Sequence, residues 1–163
     1  DDVVGEVGRG FYTLLDGINP ERIVISAEAC GIGFRALERA IAYAKERVVF
    51  DRPIGQNQAI AHPLADSYSE LVAAELLWQK AAWTYDRGEP AGPLANMAKV
   101  RCADASFRAC DRALQTLGGF GYAREYHVER YWREARLMRI APISQEKALN
   151  FVAEHVLGLP RSY

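Results

Sequence analysis

Along the first third of the chain, Ile23, Ala27, Cys30, Phe34, Leu37, Ile41, Ala44 and Val48 recur at alternating steps of four and three. That spacing lines one face of an α-helix and predicts a seam for a neighbouring helix. Asn19 has the side chain of an N-cap, and Pro20 suits the first helical position, where its missing N–H leaves no bond unmade. The helix is therefore expected to start at Pro20 and to run about 29 residues, on the order of 43 Å at ~1.5 Å per residue. Gly31 and Gly33 weaken it and predict a close neighbour. The stretch DRPIG, residues 51–55, breaks the period, and a second one follows through Leu64, Tyr68, Leu71, Trp78, Ala82 and Tyr85. Gly88, Pro90, Gly92 and Pro93 form a turn, after which residues 94–117 give an Ala-rich third helix ending at Gly118-Gly119. A charged, aromatic segment over 124–137 and a last one over about 144–157 are also helical in pattern, and nothing reads as a sheet. The expected fold is all-α: an antiparallel four-helix bundle with an extra short helix before the last one. Residues 1–17 lack this periodicity and carry Gly5, Gly8 and Gly10. They are expected to be a linker or strand remnant arriving from a preceding domain, with the bundle domain over 18–163.

Composition narrows the function classes. Half of the 163 residues are hydrophobic, enough for a sizeable core. Twenty Lys plus Arg against 21 Asp plus Glu leave a formal charge of -1, with the basic residues scattered, so nucleic acid is not an expected partner. No apolar run approaches the ~20 residues of a membrane span, and no leader pattern opens the chain, which points to a cytoplasmic protein. Cys30, Cys102 and Cys110 lack CxxC spacing and are expected to be buried, reduced thiols. His62, His127 and His155 are far apart, and no metal site is expected.

Chemistry concentrates where helices end. Three stretches stand out: ERVVFDRPIGQNQAI with Arg47, Phe50 and Gln58, LQTLGGFGY with Gln115, Gly118 and Gly119, and ERYWREARLMRIAPISQE. Each offers a cation, an amide or bare backbone, the groups that bind phosphates and flat heterocycles. Singly, Arg47 could simply complement a helix dipole, and Gly118-Gly119 could be no more than a C-cap.

In order and spacing, GEVGRGF, INPERI, AYAKERVVFDRPIGQNQAI, AKVRCADASFRACDRALQTLGGFGY and VERYWREARL resemble the C-terminal helical domain of the flavin-dependent acyl-CoA dehydrogenases, over nearly the whole chain. The resemblance implies an oxidoreductase of fatty acid metabolism that binds FAD between domains and subunits, together with an N-terminal helical domain and a middle β-domain that lie outside this sequence. It implies that Arg47 reaches the FAD pyrophosphate of a neighbouring subunit, with Phe50 and Gln58 as accompanying contacts. Gln115, Gly118 and Gly119 would form the turn that FAD approaches closely, and Ser144 would stand next to the flavin. The implied partners are an acyl-CoA substrate, further copies of the chain in a dimer or tetramer built through the bundle, and an electron acceptor such as an electron-transfer flavoprotein.

The family's usual base is the Glu of a Tyr-Glu-Gly-Thr stretch, where this chain has Ala141-Pro142-Ile143-Ser144. Proline cannot abstract a proton. A minority branch, including isovaleryl-CoA and long-chain dehydrogenases, carries its base on the first bundle helix immediately before an Arg, and Glu21 precedes Arg22 in that position. The resemblance thus implies Glu21 as the base, with Arg22 contacting substrate or orienting Glu21. Two other readings stay open: Glu21 as an ordinary first-turn carboxylate, and Glu146, a turn beyond the usual position, as the acid–base group. At the level of function, the alternatives are a non-dehydrogenating flavoprotein relative, hydroxylase or oxidase, and a catalytically silent oligomerisation module. The 163 residues alone are expected to be inactive.

Overall fold

The computed structural model describes residues 2–162. Helix α1 spans Gly10–Glu46 and so begins ten residues before the expected start, with Pro20 inside it. Asn19 is not a cap; its Oδ1 accepts a hydrogen bond from Arg22 Nη1 at 2.9 Å. Pro20 removes the bond to the carbonyl of Asp16, and since Asp16 and Gly17 are exposed, water can take its place. The added turns escaped the periodicity because Phe11, Tyr12 and Leu14 are all exposed, so no buried face marks them.

A small hairpin follows, with β1 (Val48–Val49) antiparallel to β2 (Arg52–Pro53), Val48 opposite Pro53 and Val49 opposite Arg52. This corrects the expectation of no strand. The two linking residues, Phe50 and Asp51, both have positive φ (54° and 63°), the requirement of the tight hairpin turn. A 3₁₀ turn (Ile54–Gln56) leads into α2 (Gln58–Asp86), and α3 spans Gly92–Leu117. A single turn, α4 (Gly119–Tyr122), precedes α5 (Val128–Met138) and α6 (Gln145–Phe151), which runs on as a π turn through Val156. The fold is all-α apart from the hairpin, with the short α5 lying before the closing helix as expected.

Helices α1, α2 and α3 pack on one another, and α5 and α6 lie against α3. Their shared core is built from small side chains: Ala36, Ala40, Ala44, Ala98, Ala105, Ala109 and Ala113, with Leu37 and Leu71 filling between them. Small residues let backbones approach closely, and Gly33 marks the tightest crossing. A Cβ there would sit 2.8 Å from Leu71 Cδ2 and 3.1 Å from Ser106 Cα. Gly31 has open space around it, so the expected close neighbour exists only for Gly33. Arg112 ties α3 to α2, donating to Asp66 Oδ2 (2.8 Å), Ser67 Oγ (2.9 Å) and the Pro63 carbonyl (3.4 Å). The three cysteines are buried and free.

Candidate active site

Two features fix how the helices run. A Cβ on Gly92 would lie 3.8 Å from the Asn19 side chain, so α3 starts beside residue 19 of α1. At the far end Tyr43 meets Phe120 edge-on, ring centroids 6.1 Å apart. Helices α1 and α3 are therefore parallel and in step, and α2 runs back between their ends.

At the first end, Arg22 is only 7% exposed. Nη1 is held by Asn19, but Nε is buried with no partner, and burial lowers the guanidinium pKa while the adjacent Glu21 charge raises it. An unpaired buried donor on a cation is costly and calls for an acceptor. Arg22 lines an open cleft of about 1000 Å³, together with Tyr12, Asn19, Tyr85, Phe151 and His155. Glu21, next to it, is exposed and does not line this cleft. It is also not in a first turn, since α1 starts at Gly10. The dipole of a helix end acts within its first turn, so it gives no reason for a carboxylate here.

The segment joining α5 to α6 comes to the same half of the bundle, because Gln145 Nε2 reaches the carbonyl of Val100 at 3.4 Å and Asp104 Oδ1 at 2.8 Å on α3. Ser144 is the N-cap of α6; its Oγ accepts from the Lys147 N–H at 3.4 Å, and its hydroxyl proton faces the Glu146 carboxylate. Glu146 has its pKa lowered, first by its own backbone N–H and then by the Ser144 side chain. A carboxylate stabilised in its ionised form is a weaker base.

At the opposite end, Arg47 caps α1, its N–H bonded to the Tyr43 carbonyl at 2.8 Å and its side chain exposed. Phe50 is 93% exposed on a left-handed backbone, a placement that neither packing nor backbone preference favours. Gln58 opens α2 and Gln115 lies in the last turn of α3, both exposed. Gly118 (φ +59°) ends α3, and an added Cβ on Gly118 or Gly119 would meet nothing within 4 Å. Just beyond, Gly121 packs so tightly that its Cβ would lie 2.5 Å from the Leu114 carbonyl oxygen, which fixes the turn. An open strip of bare backbone, amides, a guanidinium and an unpacked aromatic ring are groups that suit phosphates and flat rings.

The nine residues singled out from the sequence thus fall into two groups. Glu21 and Arg47 stand roughly 39 Å apart along α1, and Val100, which holds Gln145, stands roughly 22 Å from Gln115 along α3, at ~1.5 Å per residue. Glu21, Arg22 and Ser144 belong to one half; Arg47, Phe50, Gln58, Gln115, Gly118 and Gly119 gather at the other end.

The family model for the acyl-CoA dehydrogenase C-terminal domain matches residues 8–157. The chain belongs to the acyl-CoA dehydrogenase family. It is 50% identical over its full length to acyl-CoA dehydrogenase FadE12 of Mycobacterium tuberculosis, covering 42% of that protein. It superposes on butyryl-CoA dehydrogenase of Megasphaera elsdenii with a TM-score of 0.91 at 35% identity, over 94% of this chain and 40% of that one. The FAD complex of PigA gives a TM-score of 0.90 at 28% identity, over 96% of this chain and 40% of that one. The chain therefore spans about two-fifths of the length of the relatives it matches, and it is the helical C-terminal domain of an oxidoreductase, flavoprotein family. Among the described residues no helix is long and apolar enough to cross a membrane, and no group of three or more His, Cys, Asp or Glu is placed to hold a metal ion.

Sequence reasoning missed the polar cluster of Lys99, Asp104, Arg139 and Gln145. A signal was present: Lys99 follows Ala95 by four and precedes Cys102 and Ala103 by three and four, so a charge interrupts the apolar face of α3.

Proposed function

We propose that this chain is the FAD- and substrate-binding C-terminal domain of an acyl-CoA dehydrogenase in which Glu21 takes the α-proton of an acyl-CoA thioester. The observation that carries this reading is a carboxylate outside any first turn, exposed beside the cleft and immediately preceding Arg22, a cleft-lining residue whose buried Nε has no partner among the described residues. Pro142 supports it, since the segment that supplies the base in most of the family has no proton acceptor here. FAD, when bound, supplies the oxidising partner for the β-hydride. Glu21 Oε removes the proton from Cα. Arg22 would hold an oxygen of the substrate or orient the Glu21 carboxylate, and Ser144 would offer its hydroxyl to the flavin by exchanging it from Glu146.

The separation along α1 supports a site shared between copies. A single dinucleotide does not bridge the two ends of one bundle, so Arg47, Phe50, Gln58, Gln115, Gly118 and Gly119 serve the cofactor whose flavin lies against a second copy's Glu21 and Ser144. The functional unit is then a dimer or tetramer, and its electrons leave to an acceptor such as an electron-transfer flavoprotein.

Anaerobic bleaching of FAD by acyl-CoA in the full-length protein tests the assignment. Glu21→Gln should retain FAD and slow bleaching by about a hundred- to ten-thousandfold, the usual contribution of a general base. Bleaching at the wild-type rate would remove Glu21 from the role. Bound flavin that no acyl-CoA bleaches, even in the wild type, would favour the second reading that Pro142 permits, a hydroxylase or oxidase relative.

A further inference from the structure

The irregular segment between α5 and α6 carries Pro142 and Ser144, and no sheet or helix of its own fixes it. Both of its ends are tied to one face of α3. Lys99, 1% exposed, donates from Nζ to the Arg139 carbonyl at 3.3 Å. Arg139 Nε donates to Gln145 Oε1 at 2.6 Å and lies 3.1 Å from Asp104 Oδ1, while its guanidinium stands over the Phe107 ring at 5.5 Å. Gln145 closes the loop of bonds by donating to Asp104 and to the Val100 carbonyl.

A buried lysine whose one bonded partner is a carbonyl is a poor way to gain stability, because an apolar side chain of like size fills the space without desolvating a charge. We propose that Lys99, with Asp104, Arg139 and Gln145, is a latch that positions the 139–144 segment, and through it the Ser144 hydroxyl, against the flavin. Lys99 is a positioning residue in this scheme and touches neither cofactor nor substrate. The latch rests on the reading above only for its link to the flavin; its geometry does not depend on that reading. Desolvation lowers the Lys99 pKa to about 8, held there against Glu146 and Asp104, which raise it, and with Arg139, which lowers it further.

The test uses the full-length FAD-loaded protein and its apoprotein, as Lys99→Met and, independently, Gln145→Leu. Amide exchange reports on the segment directly, because the N–H groups of Ile140 and Ala141 are bonded to the Leu137 carbonyl at 2.8 and 3.0 Å. The expected result is faster exchange confined to residues 139–148 in both variants, an altered flavin absorption spectrum, and kcat lower by about ten- to a hundredfold with little change in KM for acyl-CoA. Lys99→Met should at the same time unfold no earlier than wild type, which separates positioning from stability. Unchanged exchange in both variants overturns the latch, whatever the flavin does. Faster exchange with an unaltered flavin spectrum and kcat overturns the positioning role, and with it the placement of Ser144 beside the flavin.

Discussion

Gly31 and Gly33 lie two residues apart on α1 and should answer the same substitution differently. Replacing either with Ala brings the same gain in helix propensity, about 1 kcal/mol. At Gly31 an added Cβ meets nothing within 4 Å, so the gain stands. At Gly33 it meets Leu71 Cδ2 at 2.8 Å and Ser106 Cα at 3.1 Å. Leu71 is fully buried, so turning Cδ2 aside disturbs the core packing, and Ser106 presents backbone, so α1 and α3 must also give way slightly. Overpacking of this kind costs about 1–3 kcal/mol. Because the propensity gain is common to both, the difference between the two variants isolates the packing cost. Thermal unfolding of both variants of the full-length protein, at matched concentration and scan rate, gives the comparison directly. Gly33→Ala unfolding as late as Gly31→Ala would refute the claim that this crossing is set by the absence of a side chain.

Arg112→Ala removes three bonds to α2 and leaves the buried Ser67 hydroxyl without its donor, so it should destabilise by about 1–3 kcal/mol. Arg35→Ala, which breaks the exposed pair with Glu38 and a contact with Tyr131, should cost less in the same urea titration, and equal effects would refute the distinction. The Lys99 pKa falls on folding from 10.5 to about 8, so between these values the unfolded chain binds more protons and stability rises with pH. From about pH 7 to about pH 9 the gain of wild type relative to Lys99→Met should be about 1 kcal/mol in urea unfolding, and a difference that does not change with pH would contradict a buried, charged Lys99.

The bundle was legible because its seams repeat: Leu37, Ala44, Leu71 and the Ala-rich run of α3 announce buried faces at helical spacing. The start of α1 was not, for two physical reasons. Asn19-Pro20 carries a strong helix-initiation signal, and the preceding turns bury no side chain that would betray a period, since Phe11, Tyr12 and Leu14 point away from this domain's core. The hairpin at Val48–Pro53 was equally hidden, because its turn places Phe50 and Asp51 at positive φ where Gly or Asn is expected. Motif spacing marked Arg47, Gln115 and Gly118-Gly119, whereas the latch on α3 depends on bonds across long stretches of chain, forty residues between Lys99 and Arg139, and no local pattern encodes those.

The two-ended layout has a consequence that single variants do not reveal. If each flavin is served by Glu21 and Ser144 of one copy and by Arg47 of another, then Glu21→Gln and Arg47→Ala damage opposite contributions to the same site. Arg47→Ala forfeits a charge-assisted contact worth about 1.5–3 kcal/mol, so its FAD binding weakens about ten- to a hundredfold and limiting FAD leaves it nearly inactive. In a mixed dimer one site combines both lesions, and the other inherits an intact Glu21 and an intact Arg47. Each mixed dimer has one competent site of two, so activity at limiting FAD should recover to about half of wild type in dimers selected through both tags, and to about a quarter in an unselected random mixture. The measurement needs differently tagged full-length copies, coexpressed and purified through both tags to prove that mixing occurred. Recovery by exchange after mixing purified variants, with the rate of subunit exchange setting its pace, would strengthen the case. A proven mixed dimer that stays as inactive as its parents would mean that one copy supplies both ends of its own site. The roughly 39 Å between Glu21 and Arg47 on a continuous α1 argues against that arrangement.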